Sequence, residues 1–210
     1  ASRSYSIAIG SADAAEDSAI AIGNGAQVTG SKSVAVGLNA QATKGDSSAY
    51  GNSAKATGIN SSAYGAYANA SGGSSSAYGN YATAFGESSS AYGNGAIASA
   101  DKSIAIGSGY EIGGTGGVIR TSATAERAAA IGYLAQATAA DALALGSGAN
   151  AWGGGSTAVG ASAVASANHA SAFGDNAKAN ADYATALGAN ASASRSYSIA
   201  IGSADAAEDS

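Results

Sequence analysis

The residues from Ser47 to Gly93 read SSAYGNSAKATGIN, SSAYGAYANASGGS, SSAYGNYATAFGES and SSAYG, which places Gly51, Gly65, Gly79 and Gly93 at steps of 14. The same frame extends outward to Gly10, Gly23 and Gly37, and to Gly107, Gly132, Gly146, Gly160, Gly174, Gly188 and Gly202. Each of these glycines follows an apolar residue, and that residue follows an Ala. Two steps break the period: Gly10 to Gly23 is one residue short, and Gly107 to Gly132 carries 11 extra residues. A fixed period of this kind marks a repeat architecture, whose core runs along a stack of units.

Fourteen residues are also two heptads, so a coiled coil is the first alternative. It fails because the apolar residues lie two apart, as in Ile20/Ile22 and Ala40/Ala42, which is the alternation of a strand. A glycine in every unit would also cost a helix roughly 1 kcal/mol each time. With the anchor glycine as position zero, a unit holds one short strand ending at the glycine and a second around +3 to +6. Turn residues separate them: Asn24-Gly25, Asn52-Ser53, Asn94-Gly95, Ser108-Gly109 and Asp175-Asn176 just after the anchor. A second set of turn glycines, Gly30, Gly58, Gly72, Gly86 and Gly153, follows at +7. Two strands and two turns make a flattened coil, and coils stacked in parallel rise about 4.8 Å each.

Alternation assigns the faces. Positions +3 and +5 are nearly always Ala and point inward, whereas +4 and +6 are mostly polar, as in Gln41/Thr43 and Lys55/Thr57. In the first strand −2 is always Ala and faces the same narrow interior. Positions −3 and −1 then point away from that interior, and there the large side chains collect: Ile7/Ile9, Ile20/Ile22, Val34/Val36, Ile104/Ile106, Leu143/Leu145 and Ile199/Ile201. Tyr50, Tyr64, Tyr78, Tyr92, Ile131, Val159, Phe173 and Leu187 continue the −1 column. Such a stripe exceeds what a soluble monomer tolerates, so a second chain is expected to bury it. Wherever −1 is aromatic (Tyr50, Tyr64, Tyr78, Tyr92, Phe173), −3 is Ser, so a large ring is offset by a small partner, as in a confined space.

Composition sets the remaining bounds. The 210 residues include 31 Gly but no Pro, Cys or Met, and 11% are charged with a net charge of −5, which leaves no basic stripe for nucleic acid. Lack of Cys removes disulfides and suits a chain exported unfolded. No signal peptide, spanning apolar run or lipidation motif is legible. Residues 1–18 recur letter for letter as 193–210, an offset of 192. That identity is expected of a piece of a longer tandem array whose targeting and anchoring segments lie elsewhere. The expected organisation is one continuous solenoid: coils over 1–107, an inserted loop or hairpin with its return coil over 108–131, and coils over 132–210.

Units such as SIAIGSGYE (103–111), SVAVGLNAQATKG (33–45) and SAIAIGNGAQVTG (18–30) resemble the YadA-like head repeats of trimeric autotransporter adhesins. The resemblance covers nearly the whole chain apart from the loop around 108–127. It implies an all-β fold, a left-handed parallel β-roll with three chains side by side, the −3/−1 stripe forming the trimer interface. It also implies display on the surface of Gram-negative bacteria and attachment to host matrix, other cells or abiotic surfaces. The family's neck, coiled-coil stalk and membrane anchor have no counterpart in these residues. A second reading makes the segment a spacer or shaft of an extracellular filament, with binding located elsewhere. An ice-binding solenoid would need an unbroken outward threonine array, and Ser71, Phe85 and Ser99 end the one begun by Thr29, Thr43 and Thr57.

Several residues invite a functional reading. The tyrosine column is either a ladder for glycans or surfaces, with Tyr67 and Tyr81 in adjacent turns, or interface packing with its hydroxyls on neighbouring serines. The insertion offers a hairpin of Tyr110, Ile112, Val118, Ile119 and Arg120 with Gly114, Gly116 and Gly117 at its tip, serving a ligand or merely covering a neighbouring coil. Tyr110 and Arg120 are its candidate contacts. Phe85 and Trp152 replace the polar residue at +6, and so are candidate contacts for a ligand or a neighbouring fibre. Glu126 and Arg127 pair at the rim. His169, the only histidine, falls in a turn, and the acidic cluster Asp13, Glu16 and Asp17 lacks the repeat of calcium-binding rolls. With no Walker lysine and no Ser/His/Asp set, no catalytic, cofactor or metal site is assigned and no enzyme is expected.

Overall fold

The computed structural model describes residues 1–112, 117–203 and 205–206. The chain forms two compact units, Ala1–Lys102 and Ser103–Ser210, and each is an all-β parallel solenoid. In the first, three-residue strands from Ile7–Ile9 to Ser90–Tyr92 form one parallel sheet, and two-residue strands from Asp13–Ala14 to Ile97–Ala98 form the other. In the second unit the same two sheets run from Ile104–Ile106 to Ile199–Ile201 and from Ser122–Ala123 to Asp205–Ala206.

Register follows the period. Ala49 pairs with Ala63 and Tyr50 with Tyr64, 14 residues on. Backbone groups are satisfied from coil to coil, as where Gln41 N–H donates to Ala54 O at 2.8 Å and Gly51 N–H donates to Val36 O at 2.9 Å. The second strand is shorter than its expected +3 to +6 span: only +4 and +5 are extended, although +6 still donates, as Thr43 N–H does to Ala56 O at 3.1 Å. In the short first coil Ile7 aligns with Ile20 but Asp13 with Gln27, so the missing residue comes from the turn after Gly10 and the strands stay in register.

The interior is a set of small side chains in columns. Ala49, Ala54 and Ala56, at positions −2, +3 and +5, are fully buried, as are most of their counterparts in both units, with Ala8 of the first coil half-buried. A fourth column at −4 joins them, filled by Ser33, Ser47, Ser61, Ser75, Ser89 and Ser103, all fully buried. A buried hydroxyl needs a partner, and the turn supplies one in coils such as those where Ser61 Oγ donates to Gly58 O at 2.7 Å and Ser89 Oγ to Gly86 O at 2.7 Å, whereas Ser75 Oγ and Ser156 Oγ have none.

Besides the anchor glycine, two backbone positions per coil are left-handed. One is +2, held by Asn39, Ser53 and Asn176 as the turn pairs imply, but equally by Tyr67, Tyr81 and Leu134. The other is −5, held by residues as large as Lys32, Arg127, His169 and Tyr183. None of these is β-branched, which is the class that sterics exclude most strongly from this region. The +7 glycines play a different part from the one expected. Gly58 is not left-handed; its glycine is required because a Cβ there would lie 2.0 Å from Gly72 O of the next coil. The anchor glycine meets both demands, since Gly51 has φ +135° and a Cβ on it would lie 2.5 Å from Gly65 O.

Candidate functional surface

With alanines and serines filling the interior, the outward faces carry whatever the molecule does. The −3 and −1 side chains flank each inward Ala of the first strand. Ile7, Ile9, Tyr92, Ile104, Ile106, Leu145, Phe173, Leu187, Ile199 and Ile201 are exposed. Ile20, Ile22, Val34, Val36, Tyr50, Tyr64, Tyr78, Ile131, Leu143 and Val159 are half-buried by their neighbours in the column. Each unit therefore presents a strip of aliphatic and aromatic side chains on one sheet face. Ile106 is 41% exposed and Leu187 49%, values unusual for such residues when they recur side by side.

In-register strands turn like residues into stacks. Tyr50, Tyr64, Tyr78 and Tyr92 follow one another at centroid distances of 4.8, 4.8 and 5.0 Å, with ring planes within 11° of parallel. Burial pushes the Tyr78 hydroxyl above the ordinary phenol value; Tyr64 and Tyr92 add to the shift, and a hydrogen bond with Ser62 opposes it. A second stack, Tyr67 on Tyr81 at 4.8 Å, stands in the turn after the anchor. A third joins His169, Tyr183 and Tyr197 at 5.0 Å per step in the −5 turn, which gives the lone histidine a packing partner. The sequence pointed to the first two stacks through repeated letters, whereas the third mixes residue types and was not anticipated.

The second sheet shows its polar face to solvent, with Lys55 and Lys178 exposed at +4. Phe85 and Trp152 stand on that face at 50% and 48% exposure. Asp17 of the acidic cluster accepts a hydrogen bond from Ser4 N–H one coil back at 3.2 Å. Arg127 does pair with Glu126, but its larger partner is Asp141 one coil on, reached by Nε at 2.5 Å and Nη2 at 2.8 Å. That fork holds the Asp141 carboxyl below its usual range, through the hydrogen bond first and the charge of Arg127 second. Both side chains are about half exposed, so the pair lies in solvent.

The insertion is a hairpin of Tyr110–Ile112 against Gly117–Ile119, antiparallel, with Tyr110 opposite Ile119 and Glu111 opposite Val118. Of the expected tip residues, Gly117 instead opens the second strand opposite Ile112, while Gly114 and Gly116 lie outside the described residues, as does the placement of the Tyr110 side chain; Arg120 is half-exposed just beyond the second strand. Past the hairpin the coil resumes at Thr121. Thr121 takes the +3 place of an alanine, fully buried, and its hydroxyl engages Ser108 O at 3.0 Å and Gly132 O at 2.7 Å. Ser122–Ala123 then pairs with Gln136–Ala137, so the stack continues past the hairpin base within its unit.

The family model described as the YadA head domain repeat (2 copies) matches residues 14–40, 42–68, 70–86, 86–109, 123–149, 151–177, 165–191 and 179–204. The gap between 109 and 123 coincides with the hairpin. The crystal structure of the collagen-binding domain of the Yersinia adhesin YadA aligns over 87% of this chain and 72% of its own, at 21% identity and a TM-score of 0.30. No match to a curated protein was found.

Proposed function

Because the chain belongs to the family of YadA head domain repeats, whose model matches most of its length, we propose that it is a head or fibre segment of a trimeric bacterial surface adhesin. Three chains lie side by side as left-handed β-rolls and bury the −3/−1 strips against one another, outside the cell. The wet faces remain free to meet host matrix, other cells, abiotic surfaces or neighbouring fibres. Attachment arises from many weak contacts on a repeated array, where effective concentration replaces single-site affinity.

The observation that carries this reading is the recurring apolar strip, with Ile106, Leu145 and Leu187 at 41%, 40% and 49% exposure in the single chain. Burial of such side chains is worth about 25 cal/mol per Å², which favours association over a lone chain. Light scattering of the native assembly tests it. A mass near three times the 19.6 kDa chain supports the trimer, and Ile22→Asp or Ile106→Asp should reduce it. A stable, monodisperse single chain overturns it. Beads coated with the chain test the second half: retention of matrix protein or cells supports adhesion, and none on an intact trimer assigns the segment to a shaft.

A further inference from the structure

Tyr67 and Tyr81 occupy the left-handed turn position after Gly65 and Gly79, at φ 58° and 56°. Their rings stack at 4.8 Å with planes 4° apart, and each residue is about half exposed. Tyr81 covers one face of the Tyr67 ring. The other face looks along the stack toward Ser53, the same position one coil back. One coil further lies Asn39, whose Oδ1 leans over the bare backbone of Gly25; a Cβ on Gly25 would stand 2.2 Å from it. Ser53 is therefore the low floor between a bare aromatic face and an amide drawn aside. The space is an open groove of about 410 Å³ lined by Asn39, Gln41, Ser53, Lys55, Tyr67 and Asn69, within the ~300–1,000 Å³ typical of ligand sites.

We propose that this groove binds one pyranose ring of a surface or matrix glycan, stacked on Tyr67 at the level of Ser53. The coil repeat sets the fit: a ring at that level stands from Tyr67 at the distance Tyr81 already does. The chemistry sets the class. A pyranose has a face of C–H groups and a rim of hydroxyls, and the groove has one π face within a polar wall. The three amides donate and accept, the Ser53 hydroxyl, which donates to Asn52 Oδ1 at 2.9 Å, accepts, and Lys55 donates. A protein or lipid apolar group would find no apolar wall besides Tyr67. The inference deepens the adhesive reading and rests on it only for the gain from repetition; the groove lies wholly within the first unit and needs no partner chain.

Saturation-transfer NMR on the native assembly, with methyl glycosides of β-glucose, β-galactose and N-acetyl-β-glucosamine and with phenol as the aromatic control, tests it. We expect transfer to the ring C–H protons of at least one glycoside, kept in Tyr67→Phe and weakened at least about tenfold in Tyr67→Ala. Ser53→Tyr should extend the stack into the groove and abolish transfer while leaving the unfolding midpoint unchanged, which separates a blocked site from a damaged fold. No transfer to any glycoside, transfer to phenol alone, or transfer indifferent to Tyr67→Ala and Ser53→Tyr overturns the proposal. Cell and matrix retention on coated beads, measured in parallel, reports on adhesion separately, so the groove can fail while the adhesive reading stands.

Discussion

The ring of Tyr64 lies parallel to that of Tyr78, 4.8 Å away with planes 3° apart, because the strands carrying them pair in register. The same register sets Ser62 beside Ser76, so every coil of the column combines one ring with one small residue, where the Ile104–Ile106 coil combines two aliphatics. Both combinations fill similar space on the strip.

That equivalence predicts a compensating pair. Ser76→Ile alone should overpack the strip and cost the assembly about 1–3 kcal/mol, while adding Tyr78→Ile should recover most of the loss. Urea unfolding of the two single variants and the double one should give a coupling of at least about 0.5 kcal/mol. Additive effects would place these side chains in open solvent.

The raised Tyr78 hydroxyl predicts an alkaline limit. The folded state holds this proton more tightly than the unfolded chain, so the unfolded chain releases it first as pH rises. The contribution is complete below the ordinary phenol value of about 10 and is lost as pH climbs from there through the raised folded value. Urea midpoints measured on either side of that value should fall for the native chain and fall less for Tyr78→Phe.

Anchor glycines should tolerate almost nothing. In Gly65→Ala the new Cβ would lie 2.4 Å from Gly79 O at φ +136°, a backbone contact that no rotamer relieves. We expect a loss of at least about 2 kcal/mol by urea unfolding. Ala66→Ser, one residue on and half exposed, should stay within about 0.5 kcal/mol.

Much of this roll is legible because its signals are periodic. Spacing fixed the register, alternation fixed Ala49, Ala54 and Ala56 inside, and repeated letters placed the rings of Tyr50 and Tyr64 in one column. What stayed hidden depends on three-dimensional proximity without a letter of its own. Ser61 is polar, and its burial shows only in the structure, where its hydroxyl reaches Gly58 O. Gly58 reads as a turn residue, yet it is needed for the closeness of the next coil. Leu134 carries no turn signal, and its left-handed backbone follows from its place after Gly132. Asp141 becomes the partner of Arg127 only once 14 residues are known to be one coil. The groove beside Tyr67 depends on absences, the short Ser53 and the bare Gly25, which alternation does not register.

The Arg127–Asp141 fork makes a prediction about charge rather than stability. Its hydrogen bonds hold the Asp141 carboxyl down, so its contribution is present above the ordinary carboxylate value of about 3.9 and is lost as pH falls through the lowered one. Carbon-detected NMR titration of the carboxyl should show Arg127→Ala moving the Asp141 midpoint up toward that ordinary value. Because the pair is solvated, concentrated salt should shrink the difference. An unchanged midpoint would mean that the fork does not persist in solution.

The hairpin should be separable from the stack that carries it. Ile104–Ile106 pairs directly with Ala129–Ile131, and Ser122–Ala123 with Gln136–Ala137, so the ladders of this unit close without residues 110–119. What ties the hairpin in is Thr121, whose buried hydroxyl spans Ser108 O and Gly132 O. Replacing residues 108–120 by the Asn-Ser turn of the Gly51 coil, together with Thr121→Ala, restores an ordinary 14-residue repeat. The shortened chain should keep its assembly mass and unfold within about 0.5 kcal/mol of the parent. Thr121→Ala in the intact chain should cost about 1 kcal/mol, since the one hydroxyl proton that Ser108 O and Gly132 O share in a part-buried site is lost. If the shortened chain instead fails to assemble, the hairpin is part of the interface and the strip alone does not hold the chains together.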